Sequence, residues 1–406
     1  MIVNILKFLL QFMSFLFLIV FILAISMLVY NTFYQYKPVR KEKLVVLGGG
    51  YFNTPLNQEI SLISWNLGYF GLGNTMDFFY DGGKRVKPTP EEFQKSLNGI
   101  LNFLAKLETT DIFLLQEVDT SSKRSYFVNE TNFINEFLPL YSYVFAKNYD
   151  VRFVPFPLKD PMGKVVSGMM SLSKVKPVEA FRYPFKSHFA WPKQIFLPSR
   201  CFIYTKYRLP QGKYLVVINT HNSAYNDAAK LREEESDMLR TMMMEEYSYG
   251  NYVIVGGDWN RNPPGFNKDG FSQNEMGMTM EPALDSSFLP AGWKWIYDPA
   301  IPTNRDVSEA YKKGRTRTTI IDYFIVSPNL EVLENKTLRT NFEFSDHQPV
   351  YLKVKLAEPK PIKIKKEIKN EEEKTPNKKK IKKIITTKII NSSDSSFIIK
   401  KDTIYE

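Results

Sequence analysis

The sequence predicts an α/β domain over residues 59–357, and three observations carry this. Apolar runs rich in β-branched residues recur at strand length. Segments of helical period separate several of them. The runs also end in polar residues, where α/β proteins place their chemistry. Val253-Ile254-Val255-Gly256-Gly257-Asp258-Trp259-Asn260 shows the pattern most clearly. A buried strand ends in two glycines that let the backbone turn. Asp258 then offers a carboxylate, and Asn260 an amide two positions on.

Composition bounds what such a domain does. The 406 residues are 44% hydrophobic and 15% aromatic, enough for a large core. The single cysteine, Cys201, excludes an internal disulfide framework and a cysteine zinc site. Three histidines, His188, His221 and His347, leave little scope for a histidine-rich metal site, so oxygen ligands are favoured. The net charge of +11 belongs to the ends. Residues 1–58 carry +4, and residues 359–406 carry +7 from 14 lysines against 7 acidic residues. The stretch between them is neutral, which is not the footprint of a nonspecific nucleic-acid binder.

Phe8 to Tyr30 contains no charged residue, and its 23 residues are enough to span a bilayer. Residues 1–30 therefore read as an uncleaved membrane anchor. A cleaved signal peptide fits less well, because the apolar run continues through Ala24-Ile25-Ser26 to Tyr30. Lys37, Arg40, Lys41 and Lys43 follow the span, which leans toward a cytoplasmic domain; large domains translocate despite such charge, so the side stays open. Residues 31–58, with Gly48-Gly49-Gly50 and no periodicity, read as a linker.

Within the domain, Ile60–Asn66 is a strand ending in an amide, followed by a glycine-containing loop. Residues 90–107 carry Phe93, Leu97, Ile100, Leu101 and Leu104 at helical spacing. Asp111–Glu117 is a second buried strand, ending in a carboxylate. A short helix over 131–138 and strands over 141–147 and 165–173 follow. Phe181–Phe196 is aromatic- and proline-rich and includes His188, read as structural or as part of a loop over the site. Arg200 opens a strand over 201–209, and Leu215–Asn222 is a buried strand that contains His221 near its end. A charged amphipathic helix over 226–248, with packing methionines at 242–244, leads back to the central strand. Residues 261–312 form a long Gly- and Pro-containing loop, a length usually tied to function. Ile320–Val326 is a strand, and Asp346 and His347 precede the last one, Pro349–Val354. The lysine-rich segment 358–406 reads as a disordered tail, with contact to anionic lipid or nucleic acid as the sharper alternative.

Six motifs give these strand ends a collective meaning. SWN (64–66), LLQE (114–117), NTH (219–221), GGDWN (256–260), IDYFIV (321–326) and SDH (345–347) occur in order. In order and rough spacing they resemble the endonuclease/exonuclease/phosphatase superfamily, the deoxyribonuclease I-like group, in a membrane-anchored, bacterial-type form. The likeness spans about residues 59–357. It implies a four-layer α-β-β-α sandwich of two mixed sheets.

The resemblance also implies roles. Asn66, Glu117 and Asp346 would hold a divalent cation, Mg²⁺ with Mn²⁺ as alternative. Asp258 would orient or deprotonate the attacking water, and His347, held by Asp322, would donate to a phosphate oxygen or act in acid/base transfer. Which of Asp258 and His347 is the base stays open. Asn260 and His221 would bond the equatorial oxygens in an in-line displacement. Arg200 could bind substrate phosphate, with a surface ion pair equally compatible. The expected function is a membrane-anchored, Mg²⁺-dependent phosphoesterase that cleaves a nucleic-acid phosphodiester. A phospholipid, sphingomyelin or inositol-phosphate substrate at the membrane is the alternative. A catalytically silent tethered scaffold is the alternative of another class. The oligomeric state is not legible.

Overall fold

The structure is a computed structural model, which describes all residues except 1, 52–53, 187–188, 211, 225–228, 268–282, 358–362, 370–380, 391–396 and 406. His188 and part of the 261–312 loop therefore lie outside the described residues. In chain order the elements are α1 (Ile2–Phe33), β1 (Glu42–Lys43), β2 (Leu47–Gly48), β3 (Glu59–Asn66), α2 (Pro90–Lys106), β4 (Ile112–Asp119) and α3 (Glu130–Phe137). They continue with β5 (Ser142–Val154), β6 (Gly163–Ser173), β7 (Glu179–Pro184), β8 (Cys201–Arg208), β9 (Tyr214–His221), α4 (Ala229–Ser248) and β10 (Tyr252–Asp258). Then come β11 (Lys294–Ile296), β12 (Asn304–Arg305), β13 (Thr318–Thr319), β14 (Asp322–Val326), β15 (Leu330–Thr337) and β16 (Val350–Leu356). The tail holds β17 (Lys363–Lys369), β18 (Ile381–Ile390) and β19 (Phe397–Tyr405).

Two seven-stranded sheets face each other, ordered β1-β7-β8-β9-β10-β14-β11 and β15-β16-β3-β4-β6-β5-β2. Each is antiparallel except for one parallel pair, β9–β10 in the first and β3–β4 in the second. Leu62, Leu114, Val217, Ile254, Phe324 and Leu352 fill the space between the sheets. On the outer face of the second sheet, α2 buries Phe93, Leu97, Ile100 and Leu104 beside Phe113 and Leu115. On the outer face of the first, α4 packs Leu239 and Met243 against Val216 and Val253. The four-layer sandwich expected from the motifs is thus the observed architecture. Helix α2 starts where Thr89 and Glu92 form a reciprocal capping box with Pro90 at the first helical position.

Some elements differ from the sequence expectation. Strand β5 continues to Val154, beyond the expected 147, and β7 and β15 had no clear periodic signal. The tail, expected to be disordered, contains β17, β18 and β19, paired with one another as an antiparallel sheet. Their isoleucine- and threonine-rich runs have strand propensity, which the lysine count obscures.

The segment expected to be a linker is built into the sandwich. Strand β1 pairs with β7 at the edge of one sheet, and β2 pairs with β5 at the edge of the other. Between them, Leu44 is buried with Val144, Met169 and Ile203. Two-residue strands are too short to show a period, so nothing local announced them. Removing this segment is expected to cost stability. A fragment starting at Glu59 should unfold at lower urea than one starting at Val39. Loss of the buried Leu44 and Leu56 side chains sets the scale, with about 2–5 kcal/mol for each buried leucine cut back. Equal midpoints would show that residues 39–58 contribute nothing to the fold.

Candidate active site

Sheet register brings the polar strand ends together. Asp258, the last residue of β10, lies directly between His221 of β9 and Asp322 of β14. In the facing sheet Asn66 pairs with Gln116 of the neighbouring strand. Beneath the site Gln116 Nε2 donates to Asn219 Oδ1 at 2.7 Å and ties the two sheets together. Gly257 makes the tight end of β10 feasible. Its φ is +148°, and an added Cβ would stand 2.0 Å from the Thr220 carbonyl oxygen.

Glu117 lies within a register break in β4, between Leu115 and Val118, and has a positive φ of 53°. A bulge of this kind re-aims a side chain, here into the cleft that Asp258, Asp346 and His347 also line. That cleft has a volume of about 500 Å³. On its floor Asp258 Oδ2 accepts from Asn66 Nδ2 at 3.0 Å, and Oδ1 accepts from the Asn260 backbone N–H at 3.0 Å. Burial raises the pKa of Asp258.

The two histidines are tuned in opposite directions. Arg200 Nη1 donates to His221 Nδ1 at 3.0 Å, so the proton of His221 sits on Nε2, 3.5 Å from Asp258 Oδ2 and 3.8 Å from Glu117 Oε1. Burial and the charge of Arg200 hold His221 well below the usual histidine range, hence neutral. His347 is buried too, but Asp322, Asp346 and Asp258 surround it and raise it well above that range. Its Nδ1 is bonded to Asp322 Oδ2 at 2.8 Å, and its Nε2 lies 3.7 Å from Asp258 Oδ2.

Asn66, Glu117, His221, Asp258, Asp322, Asp346 and His347 therefore converge, and Arg200 reaches them through His221. Asn260 adopts a positive φ of 49° and donates from Nδ2 to the Asn222 carbonyl at 2.9 Å, which places it on the rim. Asn66, expected among the cation ligands, has both ends of its amide engaged by the protein. Its amide oxygen accepts from the Gly68 N–H at 3.0 Å, and its Nδ2 faces Asp258 and Glu117.

Glu117 and Asp346 fit a hard cation. Burial, with Glu117 adding to it, pushes the carboxyl of Asp346 up to about 6. Burial, with Asp346, Asp306 and Glu117, pushes Asp81 up to about 7. Two buried carboxyls raised in this way, each with Glu117 adding to the effect of burial, suit a positive charge among them. Asp258, Asp322 and His347 also place ligand-type atoms within 4.8 Å of one another. The Asp322–His347 hydrogen bond accounts for that grouping, because it already occupies Nδ1 of the ring.

Several cleft residues escaped the sequence reading. The Asn304 amide lies 3.0 Å from His347 Nε2, yet Asn304 belongs to a two-residue strand within the long loop and has no local signal. Arg124 makes a two-bond pair with buried Asp119 and lies 3.7 Å over the Tyr69 ring. Asp119 sits two residues beyond Glu117 on the same strand, a spacing that could have pointed to it.

Comparison with known proteins bears on the whole arrangement. Residues 63–347 match the family model described as the Endonuclease/Exonuclease/phosphatase family. No curated protein matches the chain. Among solved structures, an endonuclease/exonuclease/phosphatase from Beutenbergia cavernae is 14% identical, with 83% of this chain and 79% of that one aligned at a TM-score of 0.51. A counterpart from Bacteroides vulgatus is 16% identical over 73% and 99% at 0.45, and the human Nocturnin catalytic domain 16% identical over 77% and 98% at 0.46. At these identities the structural likeness speaks to the fold alone.

Proposed function

The chain belongs to the endonuclease/exonuclease/phosphatase family, whose members are metal-dependent enzymes that hydrolyse phosphate esters, and from that premise we propose that it cleaves a phosphodiester with Mg²⁺ held by Glu117 and Asp346. The observation that carries the reading is the lateral row His221–Asp258–Asp322, with His347 clamped to Asp322 beside it. The ion, when bound, supplies a Lewis acid against a phosphate oxygen.

The chain's own residues divide the remaining work. Asn66 and the Asn260 N–H fix the Asp258 carboxylate, so it is aimed before substrate arrives. Burial makes Asp258 a stronger base than a solvated aspartate, which suits it to take a proton from the attacking water. Asp322 fixes the ring of His347, so its Nε2–H serves as donor to a phosphate oxygen. Neutral His221 keeps its Nε2–H for the same oxygens because Arg200 occupies Nδ1.

For the substrate, a nucleic-acid phosphodiester is the first reading. A phospholipid headgroup is the second, favoured by a specific observation. The cleft wall includes apolar Val154, Pro155 and Phe156, and α1 is long and apolar enough to cross a membrane. We read α1 as a single-pass anchor for the domain that begins at β1. The test assays the full chain on plasmid DNA and on phospholipid vesicles, with Mg²⁺ and with EDTA. Release of product that requires Mg²⁺ is expected on one of the two. Turnover unaffected by EDTA would rule out the cation.

A further inference from the structure

One wall of the cleft is the tip of the β5–β6 hairpin. Pro155 and Phe156 line the cleft, and Tyr80 Oη donates to the Phe156 carbonyl at 2.7 Å. Yet the outer side of this tip is apolar and open to solvent. Phe156 is 54% exposed and Leu158 80%, with Phe153 also exposed beside them. In the segment between β7 and β8, Trp191 is 56% exposed. A concentration of large apolar side chains at the mouth of a polar cleft marks a contact surface.

Trp191 and strand β5, which leads into the tip, meet the root of α1. Trp191 Nε1 donates to Thr32 Oγ1 at 3.1 Å. The Arg152 guanidinium lies 5.8 Å from the centre of the Tyr34 ring. Lys147 Nζ, further along β5, lies 4.2 Å from the Tyr36 ring centre. The uncharged run of α1 ends at Tyr30, so these contacts fall where a spanning helix leaves the hydrocarbon. Tyr30, Tyr34 and Trp191 are the amphipathic aromatics that favour that depth. Exposed Arg152, Lys159 and Lys193 accompany them and suit anionic headgroups. The anchor root, the apolar hairpin tip and the cleft mouth therefore share one side of the molecule.

We propose that the hairpin tip at Phe153–Leu158 and Trp191 rest in the headgroup layer of the bilayer that α1 spans, so that the cleft opens onto the membrane surface and receives its phosphate ester from a phospholipid headgroup. This rests on the reading of α1 as an anchor and on the phosphoesterase reading of the cleft. It adds a defined depth and orientation for the catalytic domain, which neither reading contains.

The test uses the full chain in phosphatidylcholine vesicles that contain phosphatidylglycerol. Leu158→Cys and Leu333→Cys variants each receive a thiol-reactive fluorophore; the native thiol, Cys201, is buried. Leu333 is an exposed control on β15, at the sheet edge away from β5. Nitroxide-bearing lipids are expected to quench the probe at 158 several-fold more than the probe at 333. Equal quenching on chains that float with the vesicles after carbonate washing overturns the orientation while sparing the anchor. Chains that do not float overturn the anchor and this inference together. A Phe153→Ser/Leu158→Ser variant adds a catalytic readout. It should lose several-fold in headgroup release from vesicles while keeping its rate on a soluble phosphodiester. An equal loss on both, or activity on the soluble ester with none on vesicles in the unaltered chain, overturns the headgroup assignment. No activity on either fails the phosphoesterase reading, and with it the headgroup assignment.

Discussion

Replacing His347 with alanine is expected to lower kcat by about 10²–10⁴-fold, the usual contribution of a positioned acid/base group. The change removes the donor that Asp322 holds toward the cleft. It also leaves the Asp322 carboxylate buried without its cationic partner, and its Oδ1 has no hydrogen-bond partner among the described residues to begin with. Stability should therefore fall as well, on the order of 3–5 kcal/mol as for other broken buried pairs. Asp322→Asn separates the two effects. It keeps the volume and removes the charge that fixes and protonates the ring. Its kcat should fall while KM stays near that of the wild type. If the two residues act as one unit, the double variant should be no slower than His347→Ala alone. Multiplicative losses would show that Asp322 works independently of His347, and an unchanged kcat in His347→Ala would remove the histidine from the mechanism.

How much of this site was legible in the sequence depended on what made each residue detectable. Glu117, His221, Asp258 and Asp322 sit at or beside the ends of buried strands, and an apolar run announces itself. Once those runs are seen as strands in a two-sheet sandwich, the polar termini have to meet. Asn304 was invisible because its strand is two residues long and its partner, His347, lies 43 residues away. Strand β15 is half exposed and carries a register shift between Val332 and Glu334, which breaks the period that would mark it. The orientation of the Asn66 amide was not legible. The Gly68 N–H decides which way the amide turns, and no residue pattern records that choice. Residues 39–58 were misread for the same physical reason as Asn304: their strands gain meaning only from the edges they meet.

Glu117 offers the sharpest test of the cation because its replacement acts with opposite signs in two conditions. Without metal, Glu117 adds negative charge beside Asp346 and Asp81, and it raises the pKa of both. Glu117→Gln keeps the side-chain shape and relieves that repulsion. The metal-free variant should therefore be at least as stable as the wild type. With Mg²⁺ the order reverses. An ion that binds only the folded chain stabilises it by RT ln(1 + [L]/Kd), about 2.7 kcal/mol at a hundredfold excess over Kd. For a domain of this size that corresponds to a rise in Tm on the order of 5 °C. Glu117→Gln should lose most of that rise together with Mg²⁺-dependent turnover, because an amide is a far poorer ligand for a hard cation than a carboxylate. Thermal melts of both proteins, with Mg²⁺ and with EDTA, check the crossing directly. A variant whose Tm climbs with Mg²⁺ as far as the wild type would place the ion elsewhere. A variant that is less stable than the wild type in EDTA would mean that Glu117 is held by contacts stronger than the repulsion it creates. The carboxylate then serves the fold as well as the ion, and the positive φ at which it is held reads as a conformation that those contacts maintain rather than one awaiting a cation.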